Sequence, residues 1–435
     1  NQPAQEAAAT SSESSSESSG ESSGESSRAR AESKQPPAIM SLTPEVIKVI
    51  KATAPVVAEH AVEITSTFYA TMFKNNPEVL AFFNKSHQKR GQQPRSLADA
   101  VVSYATNIEH LDRLGPLVGR MSHRHVALSV KPEHYAIVHK NLMTAVGMVL
   151  GDAVTPEIGN AWSESVLALA NILIDAEENL YKANEKRQGG WRYEREFEVV
   201  KREEAADDTV LFTFKPTDGY TGGFEFTPGQ YTTVRCCDLT AAPRHYTIIS
   251  SPGEAEIKIA QRKVDGGEMS NFMHSKLNVS DKVLLGAPCG VFVPEAGDES
   301  VALISAGIGI TPMVSFLHHY GPSKVKAVLH LDHTKKRDAL SGMYAAAGVP
   351  ARVLYTGSSG NPELEKEAST LVKLAGPSSS YLLCGPTGFM DAMQTALLAA
   401  GVPEHKVRYE VFGTGTIRTN AAAQATETVV EAKAA

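Results

Sequence analysis

Three side chains in the first half of the chain, His125, Tyr135 and Glu177, combine in a way that suits a metal ligand. His125 closes one helix-like segment. Tyr135 stands early in the next, just past the proline of Lys131-Pro132-Glu133. Further on, Trp162, Val166, Ala170, Leu173, Glu177 and Leu180 fall on one apolar stripe of a third helix, which puts the Glu177 carboxylate on a face expected to be buried. A lone buried carboxylate is costly unless it meets a donor. A metal-ligating histidine gives the proton on its second nitrogen to such an acceptor. The trio therefore points to a metal or haem histidine backed by a Tyr–Glu pair. His87, His110, His123, His134 and His139 are rivals for the ligand role; the helix start and the spacing to Tyr135 single out His125.

A second set of residues suits a flavin. Arg244-His245-Tyr246-Thr247 follows a strand candidate that begins at Tyr231. An arginine offers a bidentate fork for a pyrophosphate, and a tyrosine can stack on an isoalloxazine ring. Taken alone the motif also reads as an ordinary strand. Downstream, Gly266-Gly267-Glu268-Met269-Ser270 opens a helix whose free N–H groups suit phosphate. A third set suits a nicotinamide nucleotide. Gly307-Ile308-Gly309-Ile310-Thr311-Pro312 follows a buried strand as G-x-G-x-x-P, and Cys384-Gly385-Pro386 follows another on the same expected sheet edge, where open α/β sheets bind ligands. Lys335, Lys336 and Arg337 read either as a 2′-phosphate site or as a solvated charge run.

Three kinds of segment must position these groups. Residues 39–184 show helical periodicity, with Thr43-Pro44, Lys131-Pro132 and Thr155-Pro156 as helix starts. Residues 192–298 carry short strands at 197–200, 210–214, 231–234 and 256–259 with Pro-Gly and Gly-Gly turns, the pattern of a small antiparallel β-barrel. Residues 299–415 alternate strands with helices, a doubly wound parallel sheet. The expected fold class is thus multidomain: α, then β, then α/β. The Ser/Glu-rich arm at 1–38 and the Ala/Thr-rich tail at 416–435 are too poor in large apolar side chains to offset ordering entropy and read as disordered.

Composition narrows the function. At 435 residues, 42% hydrophobic and 21% charged, the chain fits two or three globular domains. A net charge of -7 gives no electrostatic case for nucleic acid. No apolar run is long enough for a membrane span. Cys236, Cys237, Cys289 and Cys384 have no metal-site spacing and suggest a reducing compartment, so the sequons at Asn84 and Asn278 read as chance matches. The acidic arm argues against an import presequence, although the chain starts at Asn, which leaves a lost leader open.

The order of these signals, ending in Tyr409-Glu410-Val411-Phe412-Gly413, resembles flavohaemoglobin from about Leu42 to Gly413. The last two domains alone resemble the wider ferredoxin-reductase-like group; the helical part attached to them is the specific element. The resemblance implies a globin domain with haem b iron on His125, supported by Tyr135 and Glu177. It makes Tyr69 the distal tyrosine that donates to dioxygen, Gln93 the distal glutamine, Leu97 the distal leucine and Phe83 the ring wedged against the haem. It assigns FAD and NAD(P)H to Tyr231, Arg244, His245, Tyr246, Thr247, Ser270, Gly307, Ile308, Gly309, Ile310, Thr311, Pro312, Cys384, Gly385, Glu410, Val411, Phe412, Gly413 and Thr414. The chain departs from the family pattern at Val411 (for cysteine), Thr414 (for proline), Arg124 (for lysine), Thr247 (for serine) and Ile310 (for a polar residue). The implied activity is nitric oxide dioxygenation to nitrate by a monomer in the cytoplasm, with a mitochondrial pool left open. Two other readings compete: a dioxygen-binding or sensing globin with a built-in reductase, and an NAD(P)H flavin reductase.

Overall fold

The computed structural model describes residues 42–83, 92–237, 239, 241–295, 297–359 and 363–413. His87, Asn84, Thr414 and the two terminal segments at 1–38 and 416–435 lie outside the described residues.

The first region is helical: α1 (Pro44–Glu59), α2 (Ala61–Asn75), α3 (Gln92–Thr106), α4 (Gly115–Ala127), α5 (Pro132–Leu150) and α6 (Pro156–Lys186). Local chemistry sets the starts. Thr43 Oγ1 accepts from the Val46 amide at 3.3 Å, and Thr155 Oγ1 from the Ile158 amide at 3.3 Å, each with proline at the first helical position. At α5 the cap is a histidine: His134 Nδ1 accepts from the Lys131 amide at 3.0 Å. Ile50, Phe68, Met72, Tyr104, Leu142 and Trp162 form the shared core. Along α6, Trp162, Ala170, Leu173 and Glu177 are buried as the stripe predicts, while Val166 and Leu180 are half-buried.

The turn from α4 to α5 matters most for the site. Ser129 takes a left-handed conformation (φ 62°), which lets the Val130 amide reach back to the His125 carbonyl at 3.0 Å. This wraps the helix end directly after His125 and starts α5 close by, with Tyr135 in its first turn.

The second region is one antiparallel sheet of six strands in the order β4-β3-β6-β1-β2-β5. The strands are β1 (Glu194–Ala206), β2 (Thr209–Pro216), β3 (Tyr231–Cys236), β4 (Arg244–Thr247), β5 (Ile257–Arg262) and, after helix α7 (Glu268–Ser275), β6 (Lys282–Gly286). A bridge from Ile248 to Ile259 ties the end of β4 to β5, so the sheet curls back on itself around Phe197, Phe212, Phe214, Val234 and Trp191. Strand β6 carried no clear signal, because Lys-Val-Leu-Leu-Gly is too short a run to tell strand from helix.

The third region is a parallel sheet in the order β11-β10-β7-β8-β9. Its elements are β7 (Val301–Ala306), α8 (Ile310–Lys324), β8 (Val325–Asp332), β9 (Ala351–Tyr355), α9 (Leu364–Ala375), β10 (Ser380–Cys384), α10 (Thr387–Ala399) and β11 (Val407–Glu410). The chain begins at β7, winds out to β9, then returns to β10 on the other side. The direction therefore reverses between β7 and β10, and a crevice opens at the carboxyl ends of those two strands. Among the described residues no helix is long and apolar enough to cross a membrane.

Candidate active site

The structure brings His125, Tyr135 and Glu177 into direct contact. His125 Nδ1 lies 2.7 Å from Glu177 Oε1 and 3.0 Å from the Tyr135 hydroxyl, and that hydroxyl also donates to Glu177 Oε1. An ionised carboxylate only accepts, so Nδ1 carries the proton and Nε2 keeps its lone pair. Glu177 is 3% exposed, whereas the imidazole side chain retains 30% exposure. Burial, and then the charge of Glu177, raises the Tyr135 pKa, which keeps its phenol a donor. The other histidines have other partners or positions. His134 caps α5, His139 Nε2 pairs with Ser163 Oγ at 2.9 Å, His123 Nδ1 accepts from the Gly290 amide at 3.0 Å, and His110 is exposed.

A second cluster comes from α2, the 3₁₀ turn after it, and α3. Tyr69 is 9% exposed, and its ring meets Phe83 edge-on at 5.6 Å and Phe73 at 5.7 Å. Thr65, one turn before Tyr69, donates to the Pro94 carbonyl at 2.8 Å and so docks the first turn of α3 on α2. Gln93 and Leu97, four residues apart, share one face of that helix. Burial raises the Tyr69 pKa and keeps its hydroxyl protonated. Around these groups Phe73, Phe83, Leu97, Val101, Leu117 and Val118 remain only half-buried at the border of the core. An imidazole whose Nε2 keeps its lone pair, together with half-buried apolar side chains at the core border, would suit a flat, largely apolar macrocycle that carries a metal.

The flavin candidates lie on adjacent strands. In register, Tyr231 pairs with Thr247, Thr232 with Tyr246, Thr233 with His245 and Val234 with Arg244. Tyr231 meets the His245 ring edge-on at 4.9 Å. Arg244 is half-buried, its guanidinium held by the Ala242 and Pro243 carbonyls at 2.6 and 3.2 Å; burial lowers its pKa, a cost that an anion would offset. The nucleotide candidates gather at the β7/β10 crevice. Gly307 has φ 56°, and a Cβ on Gly309 would stand 2.3 Å from the Cys384 carbonyl oxygen, so the two loops touch and only glycine fits. Glu410 pairs with Cys384 in the sheet, beside Gly385. Thr311 of the glycine loop donates to Thr247 of β4 at 3.2 Å, which joins the flavin and nucleotide candidates directly.

Comparison with known proteins agrees with this three-part geometry. Residues 66–173 match the globin family and residues 196–293 match the oxidoreductase FAD-binding domain family. The chain is 37% identical to flavohemoprotein A of Dictyostelium discoideum over 402 residues, 86% of this chain and 99% of that one. It is also 37% identical to the flavohemoprotein of Pseudomonas putida over 397 residues, 86% and 98% of the two chains. The crystal structure of the flavohemoglobin from Malassezia yamatoensis with bound FAD and heme superposes with a TM-score of 0.76 at 30% identity, over 86% of this chain and 100% of that one. The chain belongs to the flavohaemoprotein family.

Within this flavohaemoprotein several of the remaining candidate side chains have partners or positions of their own. Ile310 is 2% exposed in the apolar core under β7, which leaves its backbone rather than its side chain for a nucleotide; this accounts for an apolar residue at that place. Pro312 is the third residue of α8, within the first turn, whose N–H groups lack helical partners. Ser270 Oγ is taken by its own turn, accepting from the Val264 amide at 3.1 Å. Cys384 is fully buried, and Phe412 is half exposed. Arg337 gives its fork to Asp208 of the barrel, at 2.7 Å from Nε and 2.6 Å from Nη2, while Lys335 and Lys336 are exposed. The Thr247–Thr311 link and the Arg337–Asp208 pair had no sequence signal, because both join segments remote in the chain.

Proposed function

We propose that this flavohaemoprotein is a nitric oxide dioxygenase that oxidises NAD(P)H and converts nitric oxide and dioxygen to nitrate. The observation that carries this reading is the buried Glu177 carboxylate on His125 Nδ1 at 2.7 Å. When bound, NAD(P)H supplies hydride, FAD divides it into single electrons, and haem b iron uses them in the gas chemistry. The chain's own groups bind, orient and tune. His125 Nε2 would hold the iron, and Glu177 with Tyr135 draws on the Nδ1 proton, giving the imidazole anionic character and making Nε2 a stronger donor. Tyr69, kept protonated by burial, would supply a hydrogen bond to the bound gas, and Gln93 and Leu97 on α3 would complete that side of the site. Phe83 braces the Tyr69 ring. Arg244 and Tyr246 suit the flavin's pyrophosphate and ring, and Thr247 with Thr311 holds the flavin strand against the glycine loop.

Absorbance spectra of the purified protein, oxidised and reduced, together with nitric oxide consumption under NADH, test the reading. A Soret band, flavin bands and rapid consumption are expected. Slow dioxygen release with negligible consumption would leave a sensing globin, and no Soret band would leave a flavin reductase.

NADH will serve better than NADPH. Arg337 is paired with Asp208, and Arg262 with the buried Asp332 at 2.8 Å, so a 2′-phosphate at the end of β8 would have to take either guanidinium from its carboxylate. The expected ratio of kcat/KM is about tenfold or more, and equal values for the two nucleotides would refute it.

Glu410 gives a pH signature. Burial pushes its carboxyl up to about 7, against the pull of Arg124 and Arg120. Above that pH the group is anionic and favours the positive charge that develops on nicotinamide, so flavin reduction by NADH rises through about pH 7. The raised value also means that stability present below the ordinary carboxyl range is lost as pH climbs through it. In Glu410→Gln the inflection should disappear; a wild-type rate flat across neutral pH would remove the assignment.

A further inference from the structure

Helix α4, which carries His125, ends on the barrel. The carbonyls of Arg124, His125 and Val126 are taken by the amides of Leu128, Val130 and Ser129. The next carbonyl, that of Ala127, is the one a helix end leaves without a backbone partner. Here a residue of β3 supplies the missing donor: Thr233 Oγ1 donates to Ala127 O at 2.6 Å, with Thr233 1% exposed. The surroundings are built for this contact. On β6, a Cβ at Gly286 would stand 2.3 Å from Thr233 Oγ1 and 2.5 Å from Ala127 O, so any larger side chain there would drive the helix off the sheet. On the same helix, His123 Nδ1 accepts from the Gly290 amide at 3.0 Å. Val126, Ala127, Tyr181 and Cys289 close a small buried core around the junction, with Tyr231 against it.

Thr233 also stands opposite His245 in the β3–β4 register, beside Tyr246 on the flavin strand. Two residues of backbone, one hydrogen bond and one strand pair thus connect the iron-ligand position to the flavin strand. Resting on the function proposed above, we infer that Thr233 is a positioning residue for electron delivery: its hydroxyl caps the His125 helix and fixes the distance and coupling between flavin and haem, in the space that Gly286 leaves open. The step served is the passage of one electron from reduced flavin to ferric haem iron, in which no bond forms or breaks. Tunnelling falls steeply with distance, so a small separation of helix and sheet is felt in this step and not in hydride transfer to the flavin.

The test uses the full-length holoprotein in wild-type form and as Thr233→Val, Thr233→Ser and Gly286→Ala. Stopped-flow absorbance under NADH follows flavin bleaching and haem reduction separately, and hydrogen–deuterium exchange follows residues 124–130. In Thr233→Val, haem reduction should slow about tenfold, the scale of a misplaced redox partner, while flavin bleaching keeps its rate and exchange at 124–130 rises. Thr233→Ser, which keeps the hydroxyl, should restore both, and Gly286→Ala should reproduce the valine defect without touching Thr233. Unchanged exchange and unchanged haem reduction in both Thr233→Val and Gly286→Ala would overturn the inference. So would a serine variant as slow as valine. A wild-type protein whose flavin bleaches but whose haem never reduces would instead overturn the proposed function.

Discussion

Replacing Glu177 by glutamine will lower nitric oxide turnover by about ten- to a hundredfold, the usual effect of removing an outer partner of a metal ligand. Flavin reduction by NADH will keep its rate. The side chain is buried at 3% exposure and receives both the His125 Nδ1 proton and the Tyr135 hydroxyl. Glutamine keeps the shape and one acceptor oxygen but removes the charge that makes the imidazole electron-rich. Its amide nitrogen can donate only, so one orientation of the new side chain opposes Nδ1–H. Resonance Raman of the ferrous protein gives an independent reading, because the iron–histidine stretch should fall to a lower frequency. Turnover and stretch both unchanged would remove the push from the mechanism.

Tyr69→Phe will speed dioxygen release by about tenfold, the equivalent of one buried hydrogen bond. The ring stays clamped by Phe68, Phe73 and Phe83, so the variant loses the hydroxyl without opening a cavity. Carbon monoxide, a weaker acceptor, should leave at a rate much closer to that of the wild type. Flash photolysis of both gases separates polar loss from altered packing: equal acceleration of the two would place the effect in the shape of the pocket, and an unaltered dioxygen rate would exclude Tyr69 as a donor.

What could be read from the sequence was local or periodic. Thr43-Pro44 and Thr155-Pro156 announce their helices because a cap needs only three residues to form its hydrogen bond. Glu177 was legible because it interrupts an apolar stripe, a period that survives without any tertiary information. Gly309 was legible from its motif, but the reason only glycine fits, the Cys384 carbonyl, comes from a distant segment. Contacts of that kind stay hidden in general. Thr233 lies 106 positions from Ala127 and Thr247 lies 64 from Thr311, and a threonine inside a strand looks the same whether or not another domain rests on it. Ser270 shows the converse: its place at a helix start was legible, while the bond from the Val264 amide to its hydroxyl was not.

Helix α6 has 31 residues, a rod of about 46 Å at the standard rise. Near its start Trp162 Nε1 donates to Thr53 of α1 at 2.9 Å; farther along come Glu177 and then Tyr181, whose hydroxyl holds the Val130 carbonyl at 2.7 Å; just past its end Arg187 reaches Gln230 of the barrel at 3.2 Å. A single girder therefore runs from α1 to the barrel, with Glu177, the acid proposed to tune the iron, mounted on it. Twisting one module against the other would load that mount. Cutting or grafting the haem module near residue 186 would alter its gas reactivity as well as its electron supply, so a swapped reductase is not a neutral replacement part.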